Sequence, residues 1–375
     1  MKSIIIRYAE IGLKGKNRHD FEKKLEDNIK LKLENLDKNF SSVKRKRGRI
    51  IVNTDETCYE LRHVFGIASF SHADVFPQDM DIIENQVSSM SKAIKKGETF
   101  RISVQRVDKK FPIGSLELEK QLGQAVVDKT GREVDLDNPC NTFYLELIEN
   151  KAYLFSEKIN GYGGLPVGSS GHVVCLLSTG IDSPVAAWMA MKRGCSTTFV
   201  FNYNHPLADK KEKENIANIY KILEQYNPKA RLFVISFGGI QREIKEKISS
   251  RLRCIICKRF MYKVAEAISA KEDAKAIITG ESIGQVASQT IESIHAMNTA
   301  VNIPILRPLI GFNKQETIDL AKEIGTFDAS TQTAGKCSLL PDNPATKAKL
   351  EIIEKEEQKI NMDKVKQAIA QADEF

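Results

Sequence analysis

The chain is predicted to fold as α+β and α/β domains in series: two small α+β modules, then a doubly wound α/β domain built on a parallel sheet. Three observations predict this. The 375 residues are two to three domains' worth at roughly 100 to 200 residues each. Up to about residue 160, short alternating runs mix with helical patterns; beyond it, continuous apolar runs of strand length alternate regularly with helical patterns. Between the two regimes lies Gly161-Tyr-Gly-Gly-Leu-Pro-Val-Gly-Ser-Ser-Gly171, five glycines and a proline in eleven residues, which reads as an inter-domain linker.

Along the chain, the patterns predict a strand at Ser3–Tyr8 and an amphipathic helix from about Asn17 to Leu36. Strands at Ser41–Lys46 and Arg49–Asn53, a helix near Glu56–Val64 and a strand near Ile67–Val75 complete an order that resembles a small ferredoxin-like unit. A second compact module follows: a helix over Asp81–Lys96, a strand at Phe100–Gln105, a helix around Leu116–Lys129, and strands Thr142–Ile148 and Ala152–Lys158 joined at Glu149-Asn150. After the linker, buried-strand runs at Val173–Leu177, Thr198–Asn202, Leu232–Ser236 and Ala276–Thr279 alternate with helical patterns at Val185–Lys192, Lys210–Gln225, Ile240–Ser249 and Phe260–Ala270. That alternation specifies a doubly wound sheet, whose ligands bind at the carboxyl ends of the strands. Lys347–Phe375 reads as a charged helical extension.

With 42% hydrophobic and 28% charged residues and 11 prolines, the composition excludes a disordered, collagenous or fibrous chain. No apolar run approaches the roughly 18 residues of a membrane-spanning helix. The opening Met1-Lys-Ser-Ile-Ile-Ile-Arg7 has too short an apolar core for a signal peptide, so a cytoplasmic protein without a membrane partner is expected. The net charge is +7, yet the first 50 residues hold 15 basic against seven acidic groups, a balance of +8. Its densest part, Lys44-Arg45-Lys46-Arg47-Gly48-Arg49, would set basic groups on both faces of an edge hairpin, within reach of phosphates. Such a run is also an ordinary solvated surface; the charge asymmetry favours the nucleic-acid reading.

The chemistry starts at Leu176-Leu177-Ser178-Thr179-Gly180-Ile181-Asp182-Ser183-Pro184, which ends the first strand of the last domain and leads into a helix. A short Gly-containing turn there directs amide N–H groups and the positive helix end at one point, which suits phosphate or pyrophosphate. Ser183 is a natural cap and Pro184 suits the first helical position. Without the Gly-Lys-Ser/Thr of a Walker loop, no lysine is placed to hold transferring β and γ phosphates. Standing alone, the stretch would equally be a tight turn with a good cap.

The loop resembles the Ser-Gly-Gly-x-Asp-Ser signature of the PP-loop ATP pyrophosphatases in five of six positions, Thr179 replacing a glycine. Gly161-Tyr-Gly-Gly-Leu-Pro-Val-Gly168, Thr279-Gly-Glu-Ser-Ile-Gly-Gln-Val-Ala-Ser-Gln289 and Ile305-Leu-Arg-Pro-Leu309 narrow the resemblance to the tRNA 4-thiouridine synthetases, the ThiI family. Arg7-Tyr8-Ala9-Glu10-Ile-Gly-Leu-Lys-Gly-Lys16 is similar to the opening of that family, so the likeness runs to about Ala345. It implies a ferredoxin-like domain over 1–75, a THUMP RNA-binding domain over 76–165 and a PP-loop domain over 166–375. It further implies a tRNA partner met by Lys44, Arg45, Lys46, Arg47 and Arg49, and adenylation of uridine 8 before sulfur replaces oxygen. ATP with Mg²⁺ is implied at Leu176, Leu177, Ser178, Gly180, Asp182, Ser183, Phe201, Asn202, Lys258, Gly280 and Gln289, with Asp182 catalytic. Leu176, Leu177 and Phe201 would otherwise be read as core, and Lys258 as a surface charge.

Seven cysteines without an export signal argue against a disulfide framework, so paired cysteines are read first as metal or redox chemistry. Cys337 lies where the family carries the cysteine that bears or receives sulfur, in a Gly- and Pro-rich loop with Lys336 beside it, a setting that favours thiolate. Cys254 and Cys257, three apart at a helix start, present both sulfurs on one side. With Cys337 they resemble the three cysteines that hold a 4Fe-4S cluster in archaeal-type members; the competing readings are a redox disulfide and two inert buried thiols, with Cys337 alone carrying a persulfide. Cys58, Cys140, Cys175 and Cys195 are expected in the core.

The chain has no room for the C-terminal rhodanese domain of some bacterial members, so sulfur is expected from sulfide or from the persulfide of a cysteine desulfurase. Two rivals accompany this reading. One changes the acceptor to the thiazole sulfur-carrier protein; the other is an RNA-binding protein whose nucleotide site has decayed, for which Thr179 is the ground. A homodimer in which one chain's THUMP domain serves the other's active site is a further implication of the resemblance.

Overall fold

The computed structural model describes residues 1–107, 109, 111–204, 210–332, 341, 343–347 and 349–375. They form two compact units, Met1–Pro166 and Val167–Phe375. None of the described helices is long and apolar enough to cross a membrane.

The first unit runs β1 (Lys2–Arg7), α1 (Arg18–Asn35), β2 (Ser42–Lys46), β3 (Arg49–Asn53), β4 (Ser69–Pro77), α2 (Met80–Ser91), β5 (Phe100–Arg106), α3 (Ser115–Thr130), β6 (Asn141–Ile148), β7 (Lys151–Phe155) and β8 (Ile159–Asn160). Both modules share one sheet, in the order β2-β3-β1-β4-β7-β6-β5, with β8 added beside β4. The alternation of β1 explains its two-sided burial. Ile4 and Ile6 pack with Leu25, Ile29 and Leu33 of α1, whereas Ile5 joins Ile51 and Ala73 on the other face. A second core gathers Phe100, Leu145 and Leu154 under Leu118, Leu122 and Val126 of α3. Each such fully buried side chain contributes about 1.5–3 kcal/mol relative to exposure. Glu149-Asn150 makes the tight β6–β7 turn, with Glu149 at φ +53.

Two expectations are corrected in this unit. The segment near Glu56–Val64 forms only a single 3₁₀ turn, Tyr59–His63, and α2 stops at Ser91 instead of Lys96. The glycine-rich stretch is not loose at its start: Gly161 and Gly163 donate to the carbonyls of Ala68 and Ile67 at 3.0 and 2.8 Å. A Cβ on Gly161 would lie 2.3 Å from the Ile67 oxygen, so this backbone approach requires glycine.

The second unit comprises β9 (His172–Leu177), α4 (Asp182–Lys192), β10 (Ser196–Tyr203), α5 (Lys210–Glu224), β11 (Arg231–Ser236), α6 (Gly238–Lys247), α7 (Arg253–Lys271), β12 (Ile277–Ile278) and α8 (Ile291–Asn298). It continues with β13 (Ile305–Leu306), α9 (Lys314–Ile324), α10 (Phe327–Thr331), α11 (Leu350–Glu357), α12 (Asp363–Ala370) and β14 (Asp373–Glu374). The sheet order β13-β12-β9-β10-β11-β14 is parallel except for β14, which closes the edge antiparallel to β11. The tail is helical over α11 and α12, as its charge pattern suggested, and ends in the two-residue strand β14. Helix α7 begins at Arg253, seven residues before the expected Phe260, because Ile255, Ile256 and Cys257 bury against the core and override their modest helix propensity.

Candidate active site

The site is built where β9 ends and α4 begins. Helix α4 starts at Asp182 with Ile181 at its N-cap, so Ser183 is not the cap that the sequence suggested. Its hydroxyl instead reaches back across the loop, accepting the Ser178 N–H at 2.8 Å and meeting the Ser178 hydroxyl at 2.8 Å. Ser178 Oγ in turn accepts the Gly180 N–H at 3.3 Å. Thr179 is buried at an ordinary backbone angle: among described non-glycine residues only Asp37, Glu149 and Asp273 take positive φ. The β-carbon in place of the family's glycine costs no backbone strain.

Eight of the eleven expected nucleotide residues surround one cavity of about 220 Å³ at this loop. Leu176 comes from β9, Ser178 and Gly180 from the loop after it, Asp182 and Ser183 from α4, Lys258 from α7, and Gly280 and Gln289 from the segment after β12. Gly280 packs backbone to backbone on the loop, for a Cβ there would stand 2.7 Å from the Asp182 carbonyl carbon and the Ser183 nitrogen. The other three, Leu177, Phe201 and Asn202, do not line it. Leu177 points into the core by strand alternation, and Phe201, its β10 partner, stacks on Tyr203. Two buried oxygens, Gln289 Oε1 in the cavity wall and Asn202 Oδ1 at the end of β10, have no hydrogen-bond partner among the described residues. A buried acceptor left unpaired is costly, so Gln289 Oε1 fits a cavity whose ligand supplies a donor.

Three residues of this site escaped the sequence reading. Asp182 Oδ1 accepts from Lys314 Nζ at 2.7 Å and its Oδ2 from Gln285 Nε2 at 3.0 Å. Glu281, buried next to Gly280, holds Lys258 Nζ at 2.8 Å. Burial pushes the Glu281 carboxyl up, but Lys258, the Tyr262 hydroxyl and Arg307 outweigh it and hold the group at about 2. Gln285 and Glu281 stand within the Thr279–Gln289 motif; Lys314 carried no signal beyond opening a helix whose Asn313–Glu316 capping box is well formed.

Cys254 and Cys257 sit in the first turns of α7, Cys254 half-buried and Cys257 buried with the Gln241 amide donating to its sulfur at 3.8 Å. Among the described residues no third histidine, cysteine, aspartate or glutamate joins them. Cys337, the expected third, lies outside the described residues. Of the four cysteines expected in the core, Cys58 and Cys175 are buried, and desolvation raises both thiols, Cys58 to about 11. Cys140 is exposed and Cys195 half-buried, since each stands just ahead of a strand and not inside one.

In the first unit the basic hairpin forms as expected, with β2 at the sheet edge. Its charges divide into two kinds. Arg45, Lys46 and Arg49 are committed to Glu26 at 2.9 Å, Glu149 at 2.6 Å and buried Glu146 at 2.8 Å, whereas Lys44 and Arg47 are exposed. Glu146 also binds Arg7 at 2.7 Å, so it joins β1, β3 and β6 by one carboxylate.

A doubly wound sheet whose first strand feeds a Ser-Thr-Gly-Ile-Asp-Ser loop and a helix end defines a nucleotide-binding α/β protein of the PP-loop class, here following a ferredoxin-like and a THUMP module. The chain belongs to the ThiI family. The family model described as thiamine biosynthesis protein (ThiI) matches residues 168–362, that for the ThiI ferredoxin-like domain 3–71, and that for the THUMP domain 77–157. The chain is 40% identical over 368 residues, covering 96% of each, to a "Probable tRNA sulfurtransferase" of Caldanaerobacter subterraneus subsp. tengcongensis. The protein of that name from Halothermothrix orenii is 40% identical, with 96% of this chain and 94% of the relative covered. The crystal structure of a 4-thiouridine synthetase in complex with RNA and bound ATP superimposes with a TM-score of 0.91 at 33% identity, over 100% of this chain and 99% of that one. PH1313 from Pyrococcus horikoshii matches with a TM-score of 0.72 at 26% identity, over 87% of this chain and 100% of its own.

Proposed function

We propose that the protein is an ATP-dependent tRNA sulfurtransferase that adenylates uridine 8 of tRNA and exchanges its C4 oxygen for sulfur, giving 4-thiouridine. The observation that carries this reading is the cavity at the phosphate loop, with a Gln289 oxygen in its wall that has no partner among the described residues, in a chain whose fold follows a 4-thiouridine synthetase solved with RNA and ATP. The same order of parts supports the division into 1–75, 76–165 and 166–375.

A uracil carbonyl does not lose oxide to a sulfur nucleophile, so the oxygen must first be made a leaving group. Its O4 attacks the α-phosphorus of ATP, the O–P bond forms and pyrophosphate departs. Sulfide then adds at C4, and the C4–O bond breaks with release of AMP. The start of α4 offers first-turn N–H groups and the positive end of its dipole to the polyphosphate. Lys258 and Lys314 add ammonium groups, and Gln289 supplies an acceptor to the adenosine. The Asp182 carboxylate beside the cavity suits Mg²⁺, which when bound neutralises pyrophosphate charge.

Cys337 is assigned to the sulfur-transfer step, as a cluster ligand when sulfide is the donor and as the sulfur-bearing residue only on the persulfide route. Described residues on either side of it bond to the phosphate loop, to the segment just before Cys254 and to the neighbour of Gln289, which supports the assignment. Ser330 Oγ donates to the Gly180 carbonyl at 3.5 Å; on the other side of Cys337 in sequence, Ala345 N–H donates to the Arg251 carbonyl at 3.0 Å and the Thr346 carbonyl accepts from Thr290 at 2.7 Å. Cys254 and Cys257 on one helix turn, with Cys337 as third donor, would hold a 4Fe-4S cluster, which when bound would supply sulfide to the adenylated uridine. A sulfur-carrier protein as second acceptor rests on the family's description as a thiamine biosynthesis protein. The homodimer is tested by tRNA binding and rate in an enforced monomer.

The test is thiolation of unmodified tRNA by anaerobically purified protein given ATP, Mg²⁺ and sulfide, read by uridine-8 thiolation and pyrophosphate release. One pyrophosphate per thiouridine is expected in wild type, with thiolation lost and tRNA binding kept in Cys337→Ala. No tRNA-dependent pyrophosphate release would return the reading to an RNA-binding protein with a decayed nucleotide site.

A further inference from the structure

Beside the phosphate loop the most deeply placed charge is Glu281, 5% exposed at the end of the strand that leads to Gly280. Its Oε1 accepts from Lys258 Nζ at 2.8 Å, and its Oε2 from the Tyr262 hydroxyl at 2.6 Å, Arg307 Nε at 2.8 Å and Thr279 Oγ1 at 3.3 Å. Arg307 is fixed in turn by Asn298 Oδ1 at 2.8 Å. The Tyr262 phenol is pushed well above its ordinary range by burial and by the neighbouring carboxylate, so it stays a neutral donor. One carboxylate thus faces two cations. Only Lys258 opens toward the cavity, its side chain 27% exposed against 7% for Arg307.

A lysine side chain left to solvent samples many rotamers, and ordering it on ligand binding costs conformational entropy. Here one ammonium N–H is already taken by Glu281, which leaves two directed elsewhere. Arg307 supplies the second cation, so the cluster keeps a net positive charge after Glu281 has bound Lys258. We propose that Glu281 is a positioning residue for nucleotide binding: it fixes the Lys258 ammonium at the wall of the cavity, and Arg307 balances the carboxylate so that Lys258 retains its pull on phosphate. This rests on the reading of the cavity as the ATP site. A cluster that serves stability alone would have the same contacts but no thermodynamic link to ATP through Lys258.

The experiment measures ATP affinity by calorimetry and the ATP KM of tRNA thiolation in the full chain, with thermal melting alongside. Lys258→Met should weaken ATP at least about tenfold, the range of one charge-assisted hydrogen bond. Glu281→Gln/Arg307→Met removes one charge of each sign and keeps Lys258. It should raise KM by a similar factor with kcat at saturating ATP within about threefold of wild type, the pattern of weakened binding with the chemistry intact. Adding Lys258→Met to it should cost nothing more, since the two changes remove one interaction. If the double variant does not fold, Glu281→Asp carries the test. The retracted carboxylate should weaken ATP several-fold in the wild-type background and not at all beside Lys258→Met. Wild-type ATP affinity in Glu281→Asp, or losses that add to that of Lys258→Met, would overturn the positioning role while leaving the cavity as the ATP site. Undiminished affinity in Lys258→Met would overturn both.

Discussion

Asp182 owes its orientation to residues 103 and 132 positions away, Gln285 and Lys314, which take one carboxylate oxygen each. That distance decides what could be read in advance. Ser178, Gly180, Asp182 and Ser183 were legible because a strand-turn-helix phosphate loop is local chemistry, its hydroxyls and amides within six residues of one another. Lys314 was not, because nothing in a lysine at the start of a helix says which loop its ammonium will meet. Leu177 and Phe201 differ: the resemblance puts them at the nucleotide, and strand alternation buries their side chains in the core. Lys314→Met should therefore act on chemistry more than on fold. It removes the cation at Asp182 from an exposed position, its side chain 44% accessible, so melting should hardly move. Pyrophosphate release should fall by about 10²-fold or more, the scale of losing one charge-stabilising group, with tRNA binding unchanged. Pre-steady-state release of labelled pyrophosphate from ATP distinguishes this from a loss of affinity.

At the scale of elements, helix α7 shows why boundaries were harder to read than existence. Its hydrophobic period is clear from Phe260 onward, but the first two turns contain Cys254, Ile255, Ile256 and Cys257, poor helix formers held helical by packing against α6 and the sheet. The consequence is functional, since both thiols and Lys258 are then carried by one rigid element. Anaerobic wild-type protein should contain about four iron atoms per chain, and Cys257→Ala should lose iron and sulfide-dependent thiolation together. Iron-free protein whose Cys257→Ala variant thiolates normally from a persulfide donor would assign the pair to structure. The 3₁₀ turn Tyr59–His63 makes a different prediction. Burial first, then the charges of Lys32 and Arg62, hold His63 down at about 4, and burial lowers His72, whose Nε2 accepts the Cys58 N–H. A histidine kept neutral in the fold and titrating near 6.5 when unfolded binds more protons in the unfolded chain between those values. Its contribution to stability is whole above about pH 6.5 and declines as pH falls toward about 4. Melting temperature should drop from about pH 7 to about pH 5, and His63→Phe should flatten that slope; an unchanged slope would place the titration elsewhere.

Over the whole molecule the charge is uneven, +7 in total with a balance of +8 in the first 50 residues alone, and a tRNA is the polyanion such a field attracts. The sequence made the five cations of the hairpin look equivalent. Folding makes them unequal, because β2 and β3 are joined through the shared sheet to β6 and its Glu146, a pairing across 97 residues of chain that no run of basic letters reveals. The same charge reversal should accordingly have two distinct effects. Arg49→Glu sets a second carboxylate against Glu146, which is only 3% exposed, and strips it of one of its two cations. Breaking a buried pair costs about 3–5 kcal/mol, so this variant should lose tRNA binding through unfolding of the first unit, seen as a lower melting temperature. Lys44→Glu/Arg47→Glu touches only exposed side chains and should melt like wild type. If those two meet phosphate, tRNA affinity should fall and the slope of log affinity against log salt should flatten by about one for each phosphate no longer neutralised. Filter binding at several salt concentrations reads both numbers. Wild-type affinity and slope in the Lys44/Arg47 variant would remove the hairpin from the RNA interface and leave its paired cations a purely structural role.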